Sequence, residues 1–215
     1  MAQDSRLHPS IACMSMTERC VILPDARFVS LKAALGERLN AVAATIRPGN
    51  FASLLDSLML DVLQRGFAEA TAHEGSIWLL DAEGRHLVPA WNNGAKAAEF
   101  VCRYKQPLDR GLISMVFASE QPFVENEVYR NQGFDPELDR KLNLRTCALI
   151  EVPFYFLKAC RGVISCVQVK VPGEDIPDPP GFSPQHLAAV QRTSTLLSRL
   201  LELRLLGSTV GWDAD

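Results

Sequence analysis

The sequence predicts an α+β fold in which one antiparallel sheet of six strands carries helices on both sides, an α/β/α layering. Three observations predict it. Long stretches of helical periodicity lie at the two ends, over 28–67 and 183–206. The middle, 74–171, is cut into short apolar runs by turn residues, and two pairs of those runs are joined by links of hairpin length. With 215 residues, 47% apolar and 22% charged, the chain suffices for one packed domain with flanking helices, and two full domains would be tight.

Residues 1–26 show no sustained period and are punctuated by Pro9, Pro24 and Asp25, so they read as an irregular lead segment. The domain proper is expected over 27–206. Phe28, Leu31, Leu35, Leu39, Val42 and Ile46 recur at three- and four-residue steps, which predicts one amphipathic helix ending before Pro48-Gly49. A second helix follows Asn50, and its stripe from Leu54 to Phe67 is wide enough for burial against a sheet. Runs 75–81 and 85–91 flank a turn containing Gly84 and predict a first hairpin. A third strand is expected over 100–108, a helix from Gly111 through Ser119, and a fourth strand over 122–126. Asp135 can accept a hydrogen bond from an unpaired amide and Pro136 is preset for a helical φ, so a short helix starts there. Runs 146–156 and 161–171, joined at 157–160, predict a second, more buried hairpin at the centre of the sheet. The acidic, proline-rich stretch 172–181 reads as an exposed loop. Ser183-Pro184 then caps a last helix reaching about Leu206, and 207–215 is a tail.

Composition narrows the function classes. The formal charge is −3 and the basic residues are scattered among acids, so no basic stripe stands ready to track a phosphate backbone. No apolar run of about 18 residues occurs, and no apolar signal-peptide core follows residues 1–10. A soluble cytoplasmic protein without nucleic-acid or membrane partners is expected. The six cysteines contain no C-x-x-C pair and no histidine at zinc-ligand spacing, so no metal is assigned. Cys147 and Cys166 fall inside apolar runs and read as small buried hydrophobes. The four histidines lack a Ser, Cys or Asp partner at catalytic spacing, and there is neither a P-loop nor a G-x-G-x-x-G, so no catalytic residue and no cofactor is assigned.

An ordered series of segments resembles the GAF domain family: SIWLLD at 76–81, PLDRGLI at 107–113, EQPFV at 120–124, FDPELD at 134–139, LRTCALIEVP at 144–153, GVISCVQV at 162–169 and FSP at 182–184. Together they cover about 51–206. The resemblance implies a profilin- and PAS-related sheet and a sensory or regulatory role. A small molecule would lie between one face of the sheet and a lid made by the middle helix, the loop after the fourth strand and the short helix. Carried over residue by residue, it points to Ser76 and Trp91 on the first hairpin and to Ile113 and Ser114 at the start of the middle helix. It also points to Phe134 and Asp139 in the lid, Thr146 on the fifth strand and Gln168 on the last. An aromatic can stack on a planar ligand and a few polar groups can orient it. Gln168 interrupts an apolar run, so its amide needs a ligand or an ordered network, and Arg145 could hold an anion or pair with Glu151 or Asp139.

More specific members of the family fit less well. Cyclic-nucleotide-binding GAF domains carry an Asn-Lys pair after the last strand and a Phe-x-x-x-Asp-Glu helix start; here only Phe182 matches, and the Lys-to-Asp tie is not expected. Bilin-binding members use a Cys-His dipeptide, which this chain lacks. Free methionine sulfoxide reductases of the same fold use a cysteine set, and Cys102, Cys147, Cys160 and Cys166 keep that alternative open. The remaining alternative is a pure interaction module. Leucines from 187 to 206 occupy more than one helical face, which predicts a homodimer built on this helix and 28–46, with output to a signalling protein in trans.

Overall fold

Strand alternation sorts the chain into three layers in the computed structural model, which describes residues 25–212. In chain order the elements are α1 (Ala26–Val29), α2 (Lys32–Ala43), α3 (Pro48–Phe51), a 3-10 turn (Ala52–Leu54), α4 (Ser57–Glu69), β1 (Glu74–Leu80), β2 (His86–Asn92), α5 (Ala97–Phe100) and β3 (Gln106–Pro107). They continue with α6 (Leu112–Ser119), β4 (Phe123–Glu125), a second 3-10 turn (Val128–Arg130), α7 (Glu137–Leu142), β5 (Arg145–Phe156), β6 (Ala159–Lys170) and α8 (Pro184–Val210). The described strands form one six-stranded sheet in the order β3-β2-β1-β6-β5-β4. All neighbours are antiparallel, as the sequence predicts.

The long β5–β6 hairpin is its axis. Leu157 and Lys158 turn the chain with φ of 51° and 63°, the left-handed pair that matches the twist of two-residue hairpins. Alternate β5 residues Ala148, Ile150, Val152, Phe154 and Phe156 face one way, together with Ile77, Leu79, Ile164 and Cys166. Against them pack Phe51, Met59, Leu63 and Phe67 below and Val190, Leu197, Leu201 and Leu205 of α8. The opposite face carries Trp78, Leu87 and Val163 under Phe100, Tyr104, Ile113, Val116 and Leu142, so α5, α6 and α7 form a roof. At the seam of β1 and β6, a Cβ on Gly162 would stand 1.8 Å from the Trp78 carbonyl oxygen, so the two strands meet here only because a glycine does.

Four expectations need correction. The single helix over 28–46 is two, α1 and α2, separated at Ser30–Leu31. Its N-terminal stripe finds no core, Phe28 and Leu31 being exposed, while Leu39, Val42 and Ile46 do reach it. The helix expected from Asn50 breaks at Leu55, and Asp56 caps α4 by accepting from the Met59 amide at 2.9 Å. The strand over 100–108 shrinks to Gln106–Pro107, because Phe100 and Tyr104, four residues apart, turn to the same side and pack on Trp78. The last helix runs past Leu206 to Val210 and stops at Gly211, whose φ of 72° ends it in the left-handed region. Its start is as expected: Ser183 accepts from the His186 amide and Pro184 takes the first turn. All but the last two residues of the 1–26 lead segment, with His8, Cys13 and Cys20, lie outside the described residues.

Candidate functional site

A cavity of about 90 Å³ lies between the roof and the sheet. Glu151 and Ser165 of its floor belong to a polar row that strand pairing creates. Glu151 of β5 pairs with Ser165 of β6, and Ser165 with Ser76 of β1, all three buried and one beside the next on the roof side. Ser165 Oγ donates to Glu151 Oε1 at 3.0 Å, and Trp78 Nε1 donates to Ser76 Oγ at 2.8 Å. Glu151 Oε2 has no protein partner although the side chain is only 4% exposed. Burial pushes this carboxyl from the usual 4.5 up to about 8, the Ser165 hydrogen bond offsetting part of the shift.

The roof is held in place by its own hydrogen bonds. Gly111 starts α6 at φ 86°, where a Cβ would sit 2.9 Å from Gln106 Nε2. That amide donates to the Arg110 carbonyl at 2.9 Å, and Gln106 Oε1 accepts from the Tyr104 hydroxyl at 3.0 Å. Arg110 bridges Asp135 and Glu137, each at 3.1 Å, and so ties the start of α6 to the start of α7. Asp139 of α7 accepts from Thr146 twice, from the amide at 2.7 Å and from the hydroxyl at 2.8 Å. Burial raises the Asp139 carboxyl above its ordinary value, against those two bonds.

Of the residues the sequence pointed to, Ile113, Phe134, Asp139 and Thr146 meet at this cavity, while Ser76 lies one strand beyond its lining, paired with Ser165. Ser114 is buried beside it, but its hydroxyl donates to the Pro107 carbonyl at 2.8 Å. Trp91 and Gln168 are on the opposite face, because strand alternation puts them in phase with Ile77 and Ile164. Trp91 packs near Phe67, ring centroids 6.2 Å apart. Gln168 is an internal clamp: its amide donates to the Thr71 carbonyl at 3.2 Å and its oxygen accepts from the Gly181 amide at 2.9 Å. Arg145 lies outside the roof, stacked over Tyr129 at 4.0 Å and reaching Asp178 at 3.5 Å, not Glu151 or Asp139. Lys170, at the end of the last strand, pairs with Asp178 of the 172–181 loop at 2.6 Å and not with the start of α8. Residues that sequence reasoning did not assign to the site are Glu151, Ser165, Trp78, Gln106 and Asp135. A lone carboxylate in the apolar run 147–156 was the available signal for the first of them.

Four larger depressions, of about 250 to 570 Å³, lie elsewhere among the described residues and each includes exposed ones, such as Tyr155 and Gln191 in that of 420 Å³ or Tyr129 and Arg140 in that of 510 Å³. None of the residues lining the 90 Å³ cavity is exposed, which is why it is the candidate site. No described helix is long and apolar enough to cross a membrane.

No model of a protein family matches the chain, and no curated protein does. Solved structures do. The GAF domain of a phosphoenolpyruvate-protein phosphotransferase from Coxiella burnetii superposes with a TM-score of 0.55 at 15% identity, covering 85% of this chain and 97% of that one. Its Acinetobacter counterpart gives 0.51 at 16% identity, covering 87% and 99%. A GAF domain/HD domain protein from Geobacter sulfurreducens gives 0.50 at 16% identity, covering 72% and 97%. With the strand order and the roofed sheet described above, these likenesses establish that the chain has the fold of a GAF domain.

Proposed function

We propose that this domain is a sensory or regulatory module that encloses a small molecule between the sheet and the α6–α7 roof. The observation that carries the reading is the cavity itself, in which aromatic and aliphatic walls surround a buried polar row with one unpartnered carboxyl oxygen. At about 90 Å³ it is well below the roughly 300 Å³ at which pockets for drug-sized ligands begin, which favours a small group over a nucleotide or a bilin. Native mass spectrometry of freshly purified protein should show a retained small molecule, absent from a Ser165→Phe variant that fills the floor. Bare protein in both samples would sink the reading.

Thiol-dependent reduction is disfavoured by the same geometry. Burial pushes the Cys147, Cys160 and Cys166 thiols up, away from the reactive thiolate, and none of the described cysteines lines the cavity.

Output would pass through the terminal helices to a second copy and to a partner protein in trans. α2 lies against α8, and Leu196 and Leu203 of α8, with Phe28 and Leu31, point apolar side chains at solvent. Light scattering at micromolar concentration should report a dimer that Leu196→Glu with Leu203→Glu converts to monomer. A monomeric wild type would overturn this part alone.

A further inference from the structure

We infer that the ligand of this cavity carries a small planar nitrogen cation, of the amidinium or guanidinium class, seated against Glu151. The inference rests on the reading of the cavity as a ligand site and names the chemistry it accepts.

Hydrogen-bond supply and demand inside the cavity point one way. Its side-chain donors are engaged: Ser165 Oγ on Glu151, the Thr146 hydroxyl and amide on Asp139, Trp78 Nε1 on Ser76, and the Gln106 amide on the Arg110 carbonyl. One acceptor is not. Asp135 and Asp139 line the cavity already partnered by Arg110 and Thr146, whereas Glu151 Oε2 is buried without a protein partner. No Lys, Arg or His is among the described lining residues, and Arg110 reaches Asp135 only from a half-exposed position outside. A carboxylate or phosphate would find three acidic side chains and no free cation. A group rich in N–H donors finds the acceptors it needs, with Trp78 and Phe134 as aromatic surface. The volume equals that of about three water molecules in the liquid, room for a head group of a few non-hydrogen atoms.

Protonation adds a signature. Burial keeps Glu151 protonated near neutrality, and a cation beside it restores the charged form, so binding at pH 7 releases a proton. The titratable groups facing it across the cavity are Asp135 and Asp139 from the roof, and Cys166 on the neighbouring strand points to the other face; none of them supplies a positive charge.

Acetamidinium, acetamide and acetate share size and shape and differ in charge. Each is titrated against the protein between pH 6 and pH 8.5, following the indole N–H signal of Trp78, with Trp91 on the far face as internal control. Acetamidinium should bind at least about ten-fold tighter than the other two, its affinity rising several-fold per pH unit up to about pH 8. Glu151→Gln should remove at least about ten-fold of that affinity. Equal or better binding of acetamide or acetate overturns the cation assignment and leaves the cavity reading standing, as does a pH-independent acetamidinium affinity. Silence from all three fragments overturns it too, and the cavity reading then stands or falls on the retained molecule alone. Should Glu151→Gln fail to fold, the wild-type pH series decides.

Discussion

Urea unfolding between pH 4 and pH 9 is expected to show stability falling as pH rises from about 4.5 to about 8, then levelling, with Glu151→Gln lacking that fall. Glu151 has its carboxyl raised from 4.5 to about 8 in the folded chain. Across that window the native state keeps a proton that the unfolded state has given up, so the stability contributed below pH 4.5 is lost as pH climbs through the folded value. At about 1.4 kcal/mol per unit the full loss is on the order of 5 kcal/mol, a large share of the ~5–15 kcal/mol that holds a domain folded. Glu74 and Asp139, also raised by burial, act in the same direction. Asp81, lowered to about 2 by its hydrogen bonds to Arg85 and His86 against a burial penalty, contributes above 3.8 and is lost only below it, outside this window. A flat wild-type profile, or an unchanged slope in the variant, would refute the assignment of a buried carboxyl with no cationic neighbour.

Replacing Gly162 by alanine should cost about 3 kcal/mol or more, the upper end for overpacking, or abolish folding. The added methyl would meet the Trp78 backbone oxygen at 1.8 Å, and backbone cannot swing aside as a side chain can. β1 and β6 must part at the centre of the sheet, and Trp78 is also the residue through which the sheet carries α5 and α6. Gly36→Ala in α2, where nothing lies within 4 Å, is the matched control and should leave stability unchanged or slightly raised. Equal denaturation midpoints for the two variants would mean that the β1–β6 seam is looser than described.

The antiparallel sheet and its helical layering were legible in the sequence because local signals and tertiary packing agree there. The 157–160 link does close a hairpin, and Ser183-Pro184 does start a helix, both for reasons written in a few adjacent residues. Disagreement arises where a long-range partner decides. Phe100 and Tyr104 look like strand residues until Trp78 is known to lie beneath them. The site was half legible for a sharper reason. Facing follows strand phase, and the bulges at Ile77/Trp78 and Thr146/Ala148 each shift the register by a residue. Gln168 drew notice as a polar residue in an apolar run, yet Glu151 broke its own run as plainly and carries a charge. Phase separates them: Gln168 turns to the helices and Glu151 to the cavity.

One strand serves two masters in this architecture. Glu151 stands at the cavity, while Ile150 and Val152 on either side of it pack toward α8, and Ser194 of that helix donates to the Pro153 carbonyl at 3.2 Å. Cavity and helix are therefore separated by a single backbone thickness and share its freedom of movement. Redesigning the pocket floor without disturbing the seat of α8, or the reverse, requires substitutions that leave the β5 main chain where it is.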